Sequence, residues 1–163
     1  YPERVYPIGR LDKESEGLLL MTNQGDLVNK IMRAGNFHEK EYVVRVDKSV
    51  SPDFLKKMAG GVPILNTVTR PCKVEKLGRD RFKIILTQGL NRQIRRMCQE
   101  LGYKVLELKR IRIMNIELGN LKTGDYRAVT PEEEKELKAL LADSGSAPFC
   151  ISQVNQHASG GGL

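Results

Sequence analysis

The fold is decided near the start of the chain by the stretch RVYPIGRLDKESEGLLLM at residues 4–21. Residues 4–8 have the pattern of a short strand, and a glycine-containing turn follows at residues 9–12. Residues 18–21 are all apolar and predict a buried strand, although a run of four apolar residues also fits a helix. We therefore expect a polar loop between two strands in this part of the chain.

Downstream, strand patterns and helix patterns follow each other irregularly. Apolar residues at helical spacing, or helix-capping residues, predict helices at residues 26–34, 52–60, 91–101 and from residue 130 onward. Apolar alternation predicts strands at residues 41–46, 68–76, 81–87 and 105–118. In the last of these the alternation changes phase, which predicts a bulge or a break near Lys109-Arg110. Because the elements do not alternate as βαβ units, the pattern favours an α+β fold with a largely antiparallel sheet.

The composition is typical of a globular domain with an excess of positive charge. A length of 163 residues suits one domain, and 27 Lys and Arg against 20 Asp and Glu give a net charge of +7. Such a balance favours a polyanionic partner, because each cation that meets a phosphate releases condensed counterions. Many basic domains nevertheless bind no specific partner, so the charge alone leaves nucleic acid as one of two alternatives.

The two ends of the chain carry further expectations. Residues 143–163 are rich in Ser, Gly and Gln and predict a disordered tail after a domain at residues 1–142. The chain opens at Tyr1 without a Met and enters strand-like sequence at once, which suggests that an upstream segment has been removed. No apolar run approaches the roughly 20 residues that cross a bilayer, and no signal-peptide pattern is visible.

Cysteine and histidine usage argues against metal or disulfide chemistry. Cys72, Cys98 and Cys150 are odd in number and far apart in sequence, so neither a disulfide framework nor a CxxC metal site is expected. His38 has no neighbours at metal-ligand spacing and is interpreted as structural or solvent-exposed. We expect no metal, and a reducing cytoplasm suits free thiols best.

The first candidate for chemistry is Asp12, because a glycine-permitted turn after a strand can hold one carboxylate rigidly. Asp in such a turn is more often a cap or a surface residue. A glycosidase-like pair of Asp12 with Glu14 or Glu16 is a further alternative, since two carboxylates are the usual requirement for that chemistry.

The second candidate is the basic segment QGLNRQIRRM at residues 88–97, which opens a predicted helix. At about 100° per residue, Arg95 falls beside the apolar stripe, whereas Arg92 and Arg96 point away from it. An arginine at the edge of a buried face usually has a fixed partner, and the other two could meet phosphates at the positive end of the helix. The alternative is a solvated basic face with one arginine whose stem covers apolar surface.

The third candidate is Tyr42, which shares one face of a predicted strand with Val44 and Val46. A core tyrosine is the plain alternative.

Together these segments resemble, in order, the motifs of ribosomal RNA pseudouridine synthases. The matching segments are Gly9-Arg10-Leu11-Asp12 with Gly17-Leu18-Leu19, then Lys40-Glu41-Tyr42, then Gly89-Leu90-Asn91-Arg92-Gln93-Ile94-Arg95-Arg96-Met97, and finally Arg110-Ile111-Arg112-Ile113. The resemblance covers roughly residues 4–141. Residues 33–36, 38–42 and 89–92 are most similar to the type F subtype, which modifies 23S ribosomal RNA. Members usually carry a small S4-like RNA-binding domain before the catalytic one, and we expect that domain to be absent from this chain.

The resemblance implies a pseudouridine synthase fold, with a mixed but mainly antiparallel central sheet flanked by helices, and a role for each matching residue. Asp12 is expected to be the catalytic carboxylate, Arg95 its partner, and Tyr42 a ring stacked on the target uracil. The expected RNA-binding residues are Arg10, Lys40, Asn91, Arg92, Arg96, Arg110 and Arg112, with Lys109 as a further phosphate contact. Ile94 and Leu108 could line the base pocket, although a core position suits them equally well.

The resemblance also implies partners and limits. No cofactor is needed, the partner is 23S ribosomal RNA or a tRNA, and we expect a monomer. The rivals are a non-catalytic ribosomal RNA-binding or assembly module, a pseudouridine synthase acting on tRNA or 16S ribosomal RNA, and a hydrolase of another nucleoside or glycoside.

Overall fold

The computed structural model describes residues 6–8, 11, 14–23, 38–141 and 149–155. The chain divides into two compact units: Tyr1–Asn36 together with Arg110–Leu163 form the first, and Phe37–Lys109 form the second. The predicted helix at residues 26–34 lies outside the described residues.

The elements are numbered in chain order. The strands are β1 Tyr6–Ile8, β2 Glu16–Thr22, β3 Lys40–Val46, β4 Pro63–Ile64, β5 Thr67–Val68, β6 Lys73–Gly78, β7 Arg81–Leu86, β8 Val105–Ile113, β9 Ile116–Glu117, β10 Tyr126–Ala128 and β11 Phe149–Asn155. The helices are α1 Pro52–Gly60, α2 Gln93–Glu100 and α3 Pro131–Leu141.

In the first unit the strands lie in the order β10-β11-β2-β8, with β1 also on β2 and β9 on β8. The pairs β1–β2, β2–β11, β10–β11 and β8–β9 are antiparallel. The apolar run at residues 18–21 lies in β2, so the prediction of a strand is confirmed. Leu18 and Leu20 are fully buried. They pack in one core with residues of the β8–β9 region, α3 and β11.

The predicted disordered tail was wrong for part of its length, because Phe149–Asn155 forms strand β11. This strand pairs with β2 along seven residues and with β10 along three. Ile151 is fully buried and Gln153 nearly so. These residues lie in a Ser- and Gly-rich sequence, and their short apolar alternation is stabilised by pairing with strands elsewhere in the chain.

The helix α3 begins with the predicted capping box. Glu133 N–H donates to Thr130 Oγ1 at 3.1 Å, and Thr130 N–H donates to Glu133 Oε1 at 2.9 Å. Arg127 adds a two-pronged ion pair to the same carboxylate, with N–O distances of 2.8 and 3.0 Å. The carboxylate therefore ties the helix start to the adjacent β10.

In the second unit the strands lie in the order β8-β3-β7-β6, and the pairs β3–β7 and β6–β7 are antiparallel. As predicted, Val44 and Val46 are buried and Tyr42 is partly buried against the same core. The helix α1 begins as expected, with Ser51 Oγ accepting the Phe54 N–H at 3.0 Å. The α+β fold with a mainly antiparallel sheet is confirmed.

The predicted strand at residues 68–76 was wrong as one element. Residues 63–68 form the β4–β5 hairpin, and β6 begins only at Lys73. Between them the chain turns away, because Thr69 N–H and Cys72 N–H donate to Val62 O and Ala59 O instead of to a strand neighbour. Pro71 lies in this break and has no N–H to give to a ladder.

The strand β8 is continuous through Lys109 and Arg110, so a break there is wrong, whereas the alternative, a bulge, stays a prediction. Residues 105–109 of this strand belong to the second unit and residues 110–113 to the first. The alternation changes phase where the strand passes from one core to the other, since Leu108 packs in the core of the second unit and Ile113 in that of the first.

Candidate functional site

Asp12 and Arg10 lie outside the described residues, whereas Leu11 and the residues from Glu14 onward are described. Leu11 and Ser15, which flank Asp12, are 7% and 3% exposed. Between them Glu14 has a positive φ of 72°. The described residues on both sides of Asp12 therefore include a buried side chain.

At Gly17 the start of β2 approaches β8 so closely that only glycine is allowed. Its φ is 118°, and a Cβ at this position would lie 2.2 Å from Arg110 O and 2.5 Å from Arg110 N. The backbones of β2 and β8 thus meet without a side chain between them. This glycine stands five residues after Asp12 in the sequence.

Arg110 lies beneath this contact, and its predicted phosphate contact was wrong. The residue is only 4% exposed, and its Nε donates to Leu18 O at 2.9 Å. Among the described residues its Nη2 has no hydrogen-bond partner. A guanidinium packed under β2 cannot reach a phosphate on the surface, so Arg110 is removed from the candidate RNA contacts. Arg112 is partly buried and its Nη1 donates to Met114 O, so its RNA contact stays a prediction.

In the second unit, the start of β3 and the end of β7 lie at the same end of the sheet, since Lys40 is paired with Leu86. Tyr42 follows two residues later and is partly buried. The segment after β7 runs next to Lys40, because a Cβ at Gly89 would lie 4.0 Å from Lys40 Nζ. The structure thus brings together two of the predicted motifs, at residues 40–42 and 88–97.

A glutamine pair that sequence reasoning missed holds this segment in shape. Gln93 is 5% exposed, its Oε1 accepts the Leu90 N–H at 3.2 Å, and its Nε2 donates to Gln88 Oε1 at 3.4 Å. Gln88 Oε1 also accepts the Arg70 N–H at 2.9 Å. The only signal in the sequence was the polar Gln93 on the face of a helix that is otherwise apolar.

Arg92 occupies the N-cap of α2 in the left-handed region, with φ 48° and ψ 38°. The helix therefore begins at Gln93, two residues later than predicted. A side chain other than Gly or Asn in this region is uncommon and costs roughly 1 kcal/mol. This left-handed residue sets the direction in which α2 begins. Arg92 itself is only partly exposed.

The remaining polar residues of α2 have different surroundings. Arg96 is engaged with Asn91, to which its Nε and Nη2 donate at 2.9 and 2.8 Å, so these two predicted RNA contacts form one unit. Arg95 is partly buried, as a position beside the apolar stripe predicts. Burial raises the pKa of the neighbouring Cys98 thiol to about 12, and the charge of Arg95 opposes that rise.

Ile94 and Leu108 are 4% and 5% exposed and belong to the core of the second unit. Their core alternative is confirmed, and a role in lining a base stays a prediction. His38 is partly buried, and burial together with the charge of Lys40 holds its pKa below the ordinary value. In the part of the chain that the structure describes, no group of His, Cys, Asp and Glu could hold a metal ion.

The two units differ strongly in charge. The second unit contains 16 Lys and Arg against 8 Asp and Glu, whereas the first contains 11 against 12. The excess of positive charge thus belongs to residues 37–109. An anionic polymer would be attracted to this unit and not to the first. Within the described ranges no helix is long and apolar enough to cross a membrane.

Comparisons with known proteins agree with these features. A family model described as RNA pseudouridylate synthase matches residues 1–100. The chain is 55% identical over 146 residues to the dual-specificity RNA pseudouridine synthase RluF of Escherichia coli, covering 90% of this chain and 50% of that protein. It is 40% identical over 154 residues to the ribosomal large subunit pseudouridine synthase B of Bacillus subtilis, covering 91% and 63%.

A solved structure described as a pseudouridylate synthase superposes with a TM-score of 0.77 at 30% identity, covering 82% of this chain and 59% of that one. The chain spans about half to two thirds of the length of these relatives.

Proposed function

The chain belongs to the RNA pseudouridylate synthase family, and on this premise we propose that it isomerises a uridine of ribosomal RNA to pseudouridine. The observation that carries the proposal is the family match over residues 1–100, which includes Asp12, Tyr42 and Arg95. The excess of positive charge in residues 37–109 supports an RNA substrate.

In the proposed reaction Asp12 acts as an ionised carboxylate on a uridine whose C1′–N1 bond breaks. The base then turns over and joins C1′ through C5. The proton that leaves C5 is balanced by a proton taken up at N1, so atoms balance and no cofactor is required. Either a covalent bond between Asp12 and the sugar or proton abstraction to a glycal suits one carboxylate. Arg95 is the proposed partner of Asp12, because a guanidinium favours the charged form of a carboxylate.

Tyr42 is the proposed surface for the uracil ring. Its side chain lies at the edge of the core of the second unit, at the end of the sheet where Lys40 meets the segment 88–92. A uridine held in a stacked helix must leave the stack to reach such a ring, which costs a few kcal/mol. The proposed RNA contacts that offset this cost are Arg10, Lys40, Asn91, Arg92, Arg96 and Arg112.

The substrate is proposed to be 23S ribosomal RNA. The name of the Bacillus subtilis relative specifies the ribosomal large subunit. The Escherichia coli relative is named for dual specificity, which favours testing tRNA and 16S ribosomal RNA as second substrates. A non-catalytic RNA-binding module is the remaining alternative.

The test replaces Asp12 with Asn and measures pseudouridine formed in a 23S ribosomal RNA transcript. We expect turnover to fall by at least about a thousandfold, because the replacement removes the reacting oxygen anion. The matched control is Glu14→Gln, which removes a carboxylate from the same loop and should keep parent activity. Equal turnover by the Asp12→Asn protein and the parent would refute the assignment.

A second variant separates chemistry from binding. Arg95→Ala should lower kcat by about a hundredfold or more while RNA affinity changes less than threefold, if Arg95 acts on the carboxylate. Arg96→Ala is the control, since Arg96 is only partly buried and is bound to Asn91. If Arg95→Ala weakens binding as much as turnover, Arg95 is a phosphate contact.

A further inference from the structure

At the end of the second unit away from Tyr42, three loops meet on a well-defined framework. Asp47 N–H donates to Lys104 O at 3.0 Å, and Lys104 N–H donates back to Asp47 Oδ1 at 2.9 Å. Val50 N–H donates to Arg79 O at 2.7 Å, which ties in the turn between β6 and β7. The segments 47–50, 79–80 and 102–104 are therefore fixed relative to one another.

Side chains complete this framework around Ser49. Tyr103 Oη donates to Ser49 O at 3.0 Å, and Arg79 Nε donates to Ser49 Oγ at 2.9 Å. Lys48 Nζ lies 5.1 Å from the centre of the Tyr103 ring, whose other neighbour is Phe54 with ring centres 4.0 Å apart. Lys48, Arg79 and Lys104 are all exposed and belong to the three segments that are fixed in this way, and we call these three residues the distal cations.

Two of the three carboxylates near the distal cations are paired with other cations, and the third, Asp47, binds the backbone N–H of Lys104. Asp47 accepts the Lys104 N–H, Asp80 lies 3.7 Å from Arg45 Nε, and Glu107 is shared between Arg45 and Arg81. In the described part of the chain, none of the three distal cations forms an ion pair, so their charges face solvent. A fixed, exposed group of cations on the unit of net positive charge has the chemistry of a phosphate contact.

We propose that the distal cations bind the phosphate backbone of the RNA substrate, away from the base that reacts. The inference rests on the proposed function, since it takes RNA as the partner. From Tyr42 to Val46 the strand β3 spans about 13 Å at about 3.3 Å per residue, and Lys48 lies beyond its end. The RNA must therefore extend past the flipped nucleotide along the second unit, which makes affinity depend on structure flanking the target uridine.

The test compares two double variants that remove the same charge. Lys48→Gln with Lys104→Gln neutralises two distal cations, and Lys122→Gln with Lys135→Gln neutralises two exposed lysines of the first unit. The dissociation constant for a 23S ribosomal RNA transcript is measured over a range of salt concentrations. We expect the slope of log Kd against log salt to fall by about 1.5 for the distal variant and to stay at the parent value for the control.

The affinities of the distal variant and the parent should converge near 1 M salt and differ by about thirtyfold near 0.1 M. A third variant, Lys48→Arg with Lys104→Arg, keeps the charges and should keep the parent slope, which separates lost charge from altered folding. Equal slopes for the glutamine variant and the control, or an arginine variant as weak as the glutamine one, would overturn the inference. So would a parent protein without salt-dependent RNA affinity.

The readout is binding, so this inference and the proposed function fail separately. A parent that binds RNA with the expected slopes but forms no pseudouridine refutes the function alone. A parent that forms pseudouridine while both double variants keep its slope refutes the distal contact alone.

Discussion

The two units of this chain differ in charge, in core and in the way the sequence builds them. The second unit is one continuous segment with an excess of eight positive charges, whereas the first is assembled from both ends of the chain and has one more acidic than basic residue. The candidate carboxylate Asp12 belongs to the nearly neutral unit, and Tyr42 and Arg95 belong to the basic one. The total charge of +7 conceals this division. Attraction for a polyanion and the supply of the reacting carboxylate are thus encoded in different parts of the sequence.

The largest expected effect tests whether the two cores are independent. Phe82 is fully buried in the second core, and its ring centre lies 5.4 Å from that of Phe54 in an edge contact. Phe82→Ala should therefore lower the free energy of unfolding by about 3 to 5 kcal/mol. Leu137→Ala in the first core should cost about 2 to 5 kcal/mol.

Because the two side chains belong to separate clusters, the double variant should lose the sum of the two within about 0.5 kcal/mol. Denaturant unfolding measures all three variants. A coupling above about 1 kcal/mol would contradict separate cores.

The next effect concerns the close contact between β2 and β8 at Gly17, five residues after Asp12 in the sequence. Gly17→Ala places a Cβ against the Arg110 backbone at a φ of 118°, so we expect a loss of about 3 kcal/mol in stability, together with lost turnover. The matched change in the second unit is Gly60→Ala, where a Cβ meets nothing within 4 Å, and it should alter stability by less than about 1 kcal/mol. Thermal melts check both, and equal losses would mean that the close approach is not what restricts position 17.

A smaller effect is the pH dependence of stability, which should differ between the helix start of α3 in the first unit and that of α1 in the second. The hydrogen bonds of Arg127 hold the pKa of Glu133 below its ordinary value of 4.5. A carboxyl group with a lowered folded pKa stabilises the fold above its unfolded pKa, and this contribution is lost as pH falls through the folded value. Glu133→Gln should therefore cost about 1 to 2 kcal/mol at pH 7 and less below pH 4.

Ser51→Ala removes an uncharged cap from α1 in the second unit and should cost about 1 kcal/mol at either pH. Unfolding measured at both pH values gives the comparison. A Glu133→Gln loss that does not shrink on acidification would contradict the ion pair.

The smallest effect is on the rate at which the cysteines are alkylated, and it leaves stability unchanged. Burial raises the pKa of Cys72 to about 11 and that of Cys98 to about 12, so their thiolate fractions at pH 8 are about 0.001 and 0.0001. An alkylating reagent should modify both far more slowly than a free thiol, and Cys98 more slowly than Cys72. Peptide mass spectrometry resolves the two sites, and fast labelling of Cys98 in native protein would show that the second core opens.

Several features could be predicted from the sequence because their causes are local. The caps at Ser51 and Thr130 satisfy N–H groups within three residues, and the alternation of Val44 and Val46 places them on one face of a strand whatever lies beyond it. The position of Arg95 at the edge of the α2 stripe follows from helical spacing alone. The ordered motifs around Asp12, Tyr42 and Arg95 identified the family for the same reason, since a motif is a property of neighbouring residues.

Other features were decided only by tertiary structure, because their partners are distant in the chain. Strand β11 pairs with β2, more than a hundred residues earlier, and no local pattern in a Ser- and Gly-rich segment reports such a partner. The sequence predicted Arg110 to be a surface cation, but in the structure it contacts Leu18 and Gly17 and is buried next to β2. The charge of a side chain is known from the sequence, whereas its exposure to solvent depends on which strands pack next to it.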